Sequence, residues 1–127
     1  DCHSMPHEAI EAHTRPGHPR PEVVLGDRHG ATAGCEVMER VEAAFAAAGL
    51  RVVRNAPFAG AYVAQAYGRP SRRQHVVQIE IDRSLYLRSD RSPDHEAVAR
   101  MSEWFGGLID RLAGIAPGED EVPLAAE

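Results

Sequence analysis

A helix that leads directly into a strand constrains the fold of this chain more than any other sequence feature. Residues 35–48 place apolar side chains three and four positions apart, which predicts an amphipathic α-helix, and Gly49 supplies a stop at its carboxyl end. A β-branched run follows at once in residues 50–53. Because a helix joined to a strand by one glycine is typical of layered α/β proteins, the sequence predicts helices packed on a sheet.

Two further segments fit the same architecture. Residues 22–26 are a short apolar run that ends at a glycine, which predicts a buried strand. Pro93 and Asp94 open a second helix that runs to about residue 113. We expect the apolar stripe of this helix to cover the sheet; its members are Val98, Met101, Phe105, Leu108, Ile109 and Leu112.

The most regular strand pattern lies in residues 75–82. Apolar and polar residues alternate there, so Gln78, Glu80 and Asp82 share one face of the predicted strand. On an outer face of a sheet, polar residues at alternate positions need no role beyond contact with water. The pattern alone therefore leaves open whether Glu80 has a chemical role.

Three segments carry few large apolar side chains. Residues 5–21 are rich in histidine and proline, and we expect them to form a long loop beyond a strand end. Residues 55–60 follow a predicted strand and contain proline and glycine, which favours a binding loop. Residues 117–127 are acidic, which predicts a flexible tail after a single structural unit at residues 1–116.

Composition excludes several classes of partner. All 14 basic residues are arginine and the net charge of −5 is spread along the chain, which argues against nucleic acid. No stretch is long and apolar enough to cross a bilayer, so no membrane partner is expected. Arginine without lysine, together with many alanines, suggests a bacterial source. Cys2 and Cys35 form neither a CxxC pair nor a disulfide framework, and we expect buried thiols in a reducing cytoplasm.

Few residues could carry chemistry on local pattern alone. His3 could hold zinc through a neutral imidazole, but one histidine is not a site. The loop at residues 5–21 matches no HExxH spacing, and neither a GxSxG elbow nor a glycine-rich phosphate loop occurs in the chain. We interpret the acidic and histidine side chains of that loop as solvated: His7, Glu8, Glu11, His13 and His18.

Five segments in a fixed order take the interpretation further. Together, and with similar spacings, they resemble the N-formylglutamate amidohydrolase family from residue 1 to about residue 86. Each motif is weak by itself, whereas five in the family's order form a specific signal. The segments are Asp1-Cys2-His3-Ser4-Met5-Pro6, Leu25-Gly26-Asp27-Arg28-His29-Gly30, Val53-Arg54-Asn55-Ala56-Pro57-Phe58-Ala59-Gly60, Tyr67-Gly68-Arg69-Pro70, and residues 75–86, which end in Gln78-Ile79-Glu80-Ile81-Asp82-Arg83-Ser84-Leu85-Tyr86.

The resemblance implies a fold and a reaction. The fold would be the C-terminal part of a zinc-carboxypeptidase-like three-layer α/β/α sandwich with a mixed sheet. His3 matches a histidine ligand of one zinc ion, Zn2+, whose other ligands belong to the family's first half, and Glu80 matches the catalytic glutamate. The implied reaction is hydrolysis of N-formyl-L-glutamate, a small molecule, to formate and L-glutamate, at the end of histidine breakdown. Arg28, Asn55 and Arg83 are either substrate-binding residues, since an arginine fork suits a dicarboxylate, or parts of the scaffold.

Three positions depart from the family's pattern. Phe58 stands where tyrosine is usual, Ala61 where glycine is usual, and residues 87–89 where Met-Asp-Glu often follows. A related N-acyl amino acid is therefore an alternative substrate, as for a desuccinylase-like or aspartoacylase-like deacylase of the same broad fold. A silent binding or regulatory module is a second alternative. Because the family's first half is missing before Asp1, we expect the 127 residues to be a fragment that is inactive alone.

Overall fold

The structure of the protein, a computed structural model, describes residues 1–11, 13, 14 and 16–114. The tail predicted at residues 117–127, and the end of the unit predicted at residues 1–116, lie outside these described residues. The helices and strands are β1 (Cys2–Met5), α1 (Glu8–Glu11), β2 (Val23–Gly26), α2 (Cys35–Ala47), β3 (Val52–Arg54), α3 (Tyr62–Tyr67), β4 (Gln78–Asp82) and α4 (His95–Ala113). In addition, one 3-10 turn follows α3 at Pro70–Arg72 and another follows β4 at Arg83–Leu85.

The four strands form one mixed sheet in the order β1-β4-β2-β3. β1 is parallel to β4 and β2 is parallel to β3, whereas β2 and β4 are antiparallel. The α/β class and the mixed sheet expected from the sequence are thereby confirmed. Because β4 opposes β2, the carboxyl ends of β1 and β4 lie at one end of the sheet, and those of β2 and β3 lie at the other.

The main core lies between one face of the sheet and the two long helices, α2 and α4. The ring of Phe45 in α2 is fully buried and meets Trp104 of α4 edge-to-face, with ring centroids 4.9 Å apart. Asp94 caps α4 by accepting hydrogen bonds from two backbone amides of the first turn. The buried residues of this core are Val23, Leu25, Met38, Val41, Phe45, Ile79, Ile81 and Leu108.

The buried stripe of α4 differs from the predicted one. Leu108 is buried as expected, but Val98 and Ile109 are 42% and 62% exposed, so their assignment to the stripe was wrong. Ala97 and Trp104 take the inward positions instead. The large indole contacts the ring of Phe45 and packs against the main core.

The opposite face of the sheet carries a smaller apolar cluster and a row of polar residues. Met5, Ile10 and Val24 are buried there, and Ile10 comes from α1. The polar side chains of β4 point to this face, yet they are 4% (Gln78), 8% (Glu80) and 2% (Asp82) exposed. The alternating pattern therefore does not mark a water-facing surface, because buried polar groups need protein partners.

Two short helices were not predicted. α1 is a single turn inside the segment expected to be a loop, and it forms because Ile10 packs beneath the sheet. α3 buries only Ala64, and its six residues are too few to show an amphipathic stripe. Among the described helices, none combines the length and the apolar character needed to cross a membrane.

Candidate active site

A row of side chains runs across the sheet through His3, Glu80 and Val24. The register of β1 and β4 pairs His3 with Glu80, and that of β4 and β2 pairs Glu80 with Val24. Paired residues on neighbouring strands project to the same face, about 4.8 Å apart. The strand register therefore brings together the two residues that the sequence marks for chemistry, the imidazole and the carboxylate.

The Glu80 carboxylate is held by a chain of two hydrogen bonds. Gln78 Nε2 donates to Glu80 Oε1 at 2.9 Å, and the backbone N–H of Ala61 donates to Gln78 Oε1 at 2.6 Å. Throughout the described residues, no buried side-chain nitrogen or oxygen lacks a hydrogen-bond partner. Gln78 thus fixes the orientation of the carboxylate and ties it to the amino end of α3.

His3 has one ring nitrogen engaged and one available. Its Nε2 lies 3.0 Å from Asp1 Oδ2, and its side chain is 45% exposed. A carboxylate on one imidazole nitrogen orients the ring for a metal on the other, which leaves Nδ1 as the candidate ligand. No group of three histidine, cysteine, aspartate or glutamate side chains within the described residues could hold a metal ion. His3 can therefore supply one ligand to a site that these residues do not complete.

Arg28 and Asn55 lie together beyond the carboxyl ends of β2 and β3. The Asn55 side chain accepts from the backbone N–H groups of Asp27 and His29 at 3.1 and 3.3 Å, and donates to Asp27 Oδ1 at 2.8 Å. Arg28 Nη1 donates to the Gly60 carbonyl at 3.1 Å. Both side chains thereby join the two loops that follow these strands, which is the geometry of a scaffold contact.

Arg83 lies at the other end of the sheet, immediately after β4. Its Nε and Nη2 atoms donate to the hydroxyl and the carbonyl oxygen of Ser4 at 3.3 and 3.1 Å. Arg83 also lines a cavity of about 470 Å³. The three candidate substrate-binding residues are therefore split, with Arg28 and Asn55 on one side of the His3–Glu80 pair and Arg83 on the other.

His7 is only partly solvated: its side chain is 41% exposed, but its imidazole also contacts a buried carboxylate, which the interpretation as a solvated loop residue missed. Its Nδ1 lies 2.7 Å from Asp82 Oδ2, whose side chain is 3% exposed, and Arg20 contacts Nε2. A guanidinium can only donate, so Nε2 accepts and the Nδ1–H donates to Asp82. The second Asp82 oxygen accepts from the Ser84 backbone N–H at 2.8 Å. The sequence offered one indication of this contact. Asp82 lies on the β4 face that is buried, and a buried carboxylate needs a partner.

The cysteines also differ from expectation, since both are free and exposed. Cys35 Sγ donates to Glu39 Oε1 at 3.1 Å. This hydrogen bond and, to a smaller extent, the negative charge of Glu39 raise the pKa of the Cys35 thiol above its usual value. A thiol that holds its proton more tightly is a poorer nucleophile, so Cys35 is not a candidate catalytic group.

The chain is similar to known amidohydrolases in both sequence and structure. A family model described as N-formylglutamate amidohydrolase matches residues 1–87. The fold matches a crystal structure of N-formylglutamate amidohydrolase from Ralstonia eutropha JMP134 with a TM-score of 0.74 and 30% sequence identity. The match covers 88% of this chain and 41% of that one, so the chain spans less than half the length of the solved relative. No curated protein sequence matches the chain.

Proposed function

This chain belongs to the N-formylglutamate amidohydrolase family, and from that membership we propose that it carries part of the active site of a zinc-dependent hydrolase. The proposed substrate is N-formyl-L-glutamate, and the proposed products are formate and L-glutamate. The family match and the solved relative both support an amidohydrolase. The substrate, the metal and the residue roles are the parts that the proposal adds.

The pairing of His3 with Glu80 across β1 and β4 is the observation that supports the proposal best. The two residues are 77 positions apart in the sequence, yet they share one sheet face at adjacent positions. An exposed imidazole beside a buried carboxylate is the combination that a metal ligand and a general base require.

In the proposed reaction Glu80 takes a proton from the attacking water and later gives it to the departing amine. The water oxygen bonds to the formyl carbon, the carbon–nitrogen bond breaks, and the proton held by Glu80 moves to the leaving nitrogen. Gln78 keeps one carboxylate oxygen engaged during these steps, which limits rotation of the Glu80 side chain. Burial of the carboxylate on this face excludes competing water from most of its surface.

The side chains near Glu80 provide some, but not all, of the ligands that one zinc ion needs. We propose that His3 Nδ1 is one ligand, with Asp1 on the other ring nitrogen, and that the remaining ligands come from the part of the family's fold that this sequence does not span. When bound, zinc would polarise the formyl carbonyl and lower the pKa of water toward about 7. We therefore expect the 127 residues alone to release no formate above a zinc-only control.

The setting of the enzyme is also a proposal. The family membership supports a bacterial enzyme at the end of histidine breakdown, with a small N-acyl amino acid as its partner rather than nucleic acid or a membrane. Two free thiols without a disulfide support a cytoplasmic location.

Replacing His3, the proposed zinc ligand, tests the proposed function. The longest protein that contains residues 1–127 would be supplied with zinc and assayed for formate release from N-formyl-L-glutamate. We expect His3→Ala to lose both bound zinc and activity, and His18→Ala, a change at an exposed loop histidine, to keep both. Equal zinc content and activity in His3→Ala and the unchanged protein would contradict the proposal.

Substrate profiling separates the two alternatives. Phe58 packs against the cluster of Met5, Ile10 and Val24, so the ring that replaces the family's tyrosine is engaged in packing. If the same protein cleaves only N-succinyl or N-acetyl amino acids, a deacylase of another specificity replaces the proposed one. If it binds zinc and hydrolyses none of these substrates, it is a silent binding module.

A further inference from the structure

An open cavity lies beyond the carboxyl ends of β1 and β4, and most of the charged residues that line it are basic. Its volume of about 470 Å³ is in the range of small-molecule sites, about 300–1,000 Å³. Three arginines, Arg83, Arg88 and Arg91, line it, against a single carboxylate, that of Glu8. An excess of guanidinium groups in a concave site favours an anionic ligand.

Two of these arginines form no salt bridge within the described chain, although the charge of Arg88 is close enough to Asp94 to help lower the pKa of that carboxyl, after the hydrogen bond from the Ala97 N–H. Neither the Arg88 nor the Arg91 guanidinium forms a salt bridge or a side-chain hydrogen bond with any described residue, in contrast to Arg20, Arg51 and Arg54, which pair with glutamates. Their positions are nevertheless fixed by the backbone. The Arg88 N–H donates to Ser92 at 2.9 Å, and the Arg91 N–H donates to the Arg88 carbonyl at 2.9 Å.

The acidic residues nearest in sequence to these arginines are already engaged elsewhere. Asp90 Oδ1 accepts from the hydroxyl and the backbone N–H of Ser92 at 2.6 and 2.9 Å, and these bonds lower the pKa of Asp90. Asp94 Oδ1 caps α4 by accepting from the backbone of Glu96 and Ala97, both at 3.1 Å. Each carboxylate thus stabilises a turn or a helix end and does not occupy the cavity.

The cavity lies beyond the end of the two strands that carry the proposed catalytic pair, β1 and β4. Arg83 donates to Ser4, the residue that follows His3, at 3.1 Å. Glu80 lies two residues before the carboxyl end of β4, which corresponds to about 7 Å along the strand.

We propose that this cavity is an anion subsite that binds a carboxylate of the acyl amino acid through Arg83, Arg88 and Arg91. The identity of the anion rests on the proposed function, whereas the anion site itself rests on the cavity and its unpaired arginines. Arg83 is held by Ser4 and sets the inner wall, while Arg88 and Arg91 supply the free guanidinium groups.

Binding of glutarate to the 127-residue chain tests the subsite without metal or catalysis. Glutarate carries two carboxylates and would be titrated at low ionic strength, with amide and arginine Nε–H signals followed by NMR. We expect saturable shifts at residues 83–91 and a dissociation constant raised about tenfold or more in Arg88→Gln/Arg91→Gln, the loss expected for one charge-assisted hydrogen bond. The matched control is Arg72→Gln/Arg100→Gln, two exposed arginines away from the cavity.

Each other outcome overturns the subsite. Equal dissociation constants in the cavity variant and the unchanged chain, or no saturation in the unchanged chain, would show that the cavity does not bind carboxylates. Saturation by inorganic phosphate without saturation by glutarate would replace the carboxylate with a phosphate ligand. Failure of formate release would leave a positive binding result intact, and failure of binding would leave the hydrolase with a different carboxylate site.

Discussion

Replacing Gln78 with leucine removes the hydrogen bonds that hold the candidate base at nearly constant side-chain volume. Gln78 donates to the buried Glu80 carboxylate at 2.9 Å and accepts from the Ala61 N–H at 2.6 Å. A hydrogen bond to a charged group contributes about 1.5–3 kcal/mol, and a neutral one about 0.5–1.5 kcal/mol. We therefore expect the free energy of unfolding to fall by about 2–4 kcal/mol, a large part of a typical domain's stability.

Urea unfolding of the 127-residue chain measures this loss. The matched control is Gln74→Leu, the same change at an exposed position. We expect the midpoint to fall for Gln78→Leu with little change in the slope, because the surface exposed on unfolding stays almost the same. A Gln78→Leu stability within about 0.5 kcal/mol of the control would refute the argument that Gln78 anchors Glu80.

Two further changes test local packing and electrostatics. A Cβ at Gly26 would lie 2.6 Å from the neighbouring loop backbone, whereas one at Gly107 in α4 meets nothing within 4 Å. We expect Gly26→Ala to lower the Tm and Gly107→Ala to raise the free energy of unfolding by about 0.5–1 kcal/mol. If Gly26→Ala has a Tm at or above that of the unchanged chain, the close contact at Gly26 is contradicted. Glu39→Gln weakens the hydrogen bond and removes the negative charge that raise the Cys35 pKa, so more thiolate forms near pH 8 and iodoacetamide labelling, followed by mass spectrometry, should accelerate. Glu36→Gln is the control, and an unchanged rate in Glu39→Gln would refute the assigned cause.

The sequence predicts the long, regular elements because their periodicity reports burial directly. α2, β2, β4 and α4 all occur where the apolar pattern predicted them, and Gly49 ends the first of these helices with a φ of +80°. The family motifs marked His3 and Glu80, and the register of β1 and β4 brings the two residues together. Local pattern therefore suffices for the class of fold, whereas the roles of His3 and Glu80, which the motif order indicates, stay predictions.

The remaining features depend on contacts between distant segments, which no local pattern records. The burial of Gln78, Glu80 and Asp82 arises because other parts of the chain cover that face. The contact of His7 with Asp82 joins residues 75 positions apart. Likewise, Asn55 looks like a binding residue in sequence, but its amide is engaged by the loop that follows β2.

Formate release by the Glu80→Gln variant tests the central claim most directly. The assay would use the longest protein that contains this chain, loaded with zinc, with N-formyl-L-glutamate as substrate. Glutamine keeps the side-chain shape but cannot accept the proton, so kcat should fall by about a hundredfold to ten-thousandfold while zinc content stays unchanged. The control Glu103→Gln, at an exposed position on α4, should keep full activity. A Glu80→Gln enzyme that releases formate as fast as this control would contradict the assignment of Glu80 as the base.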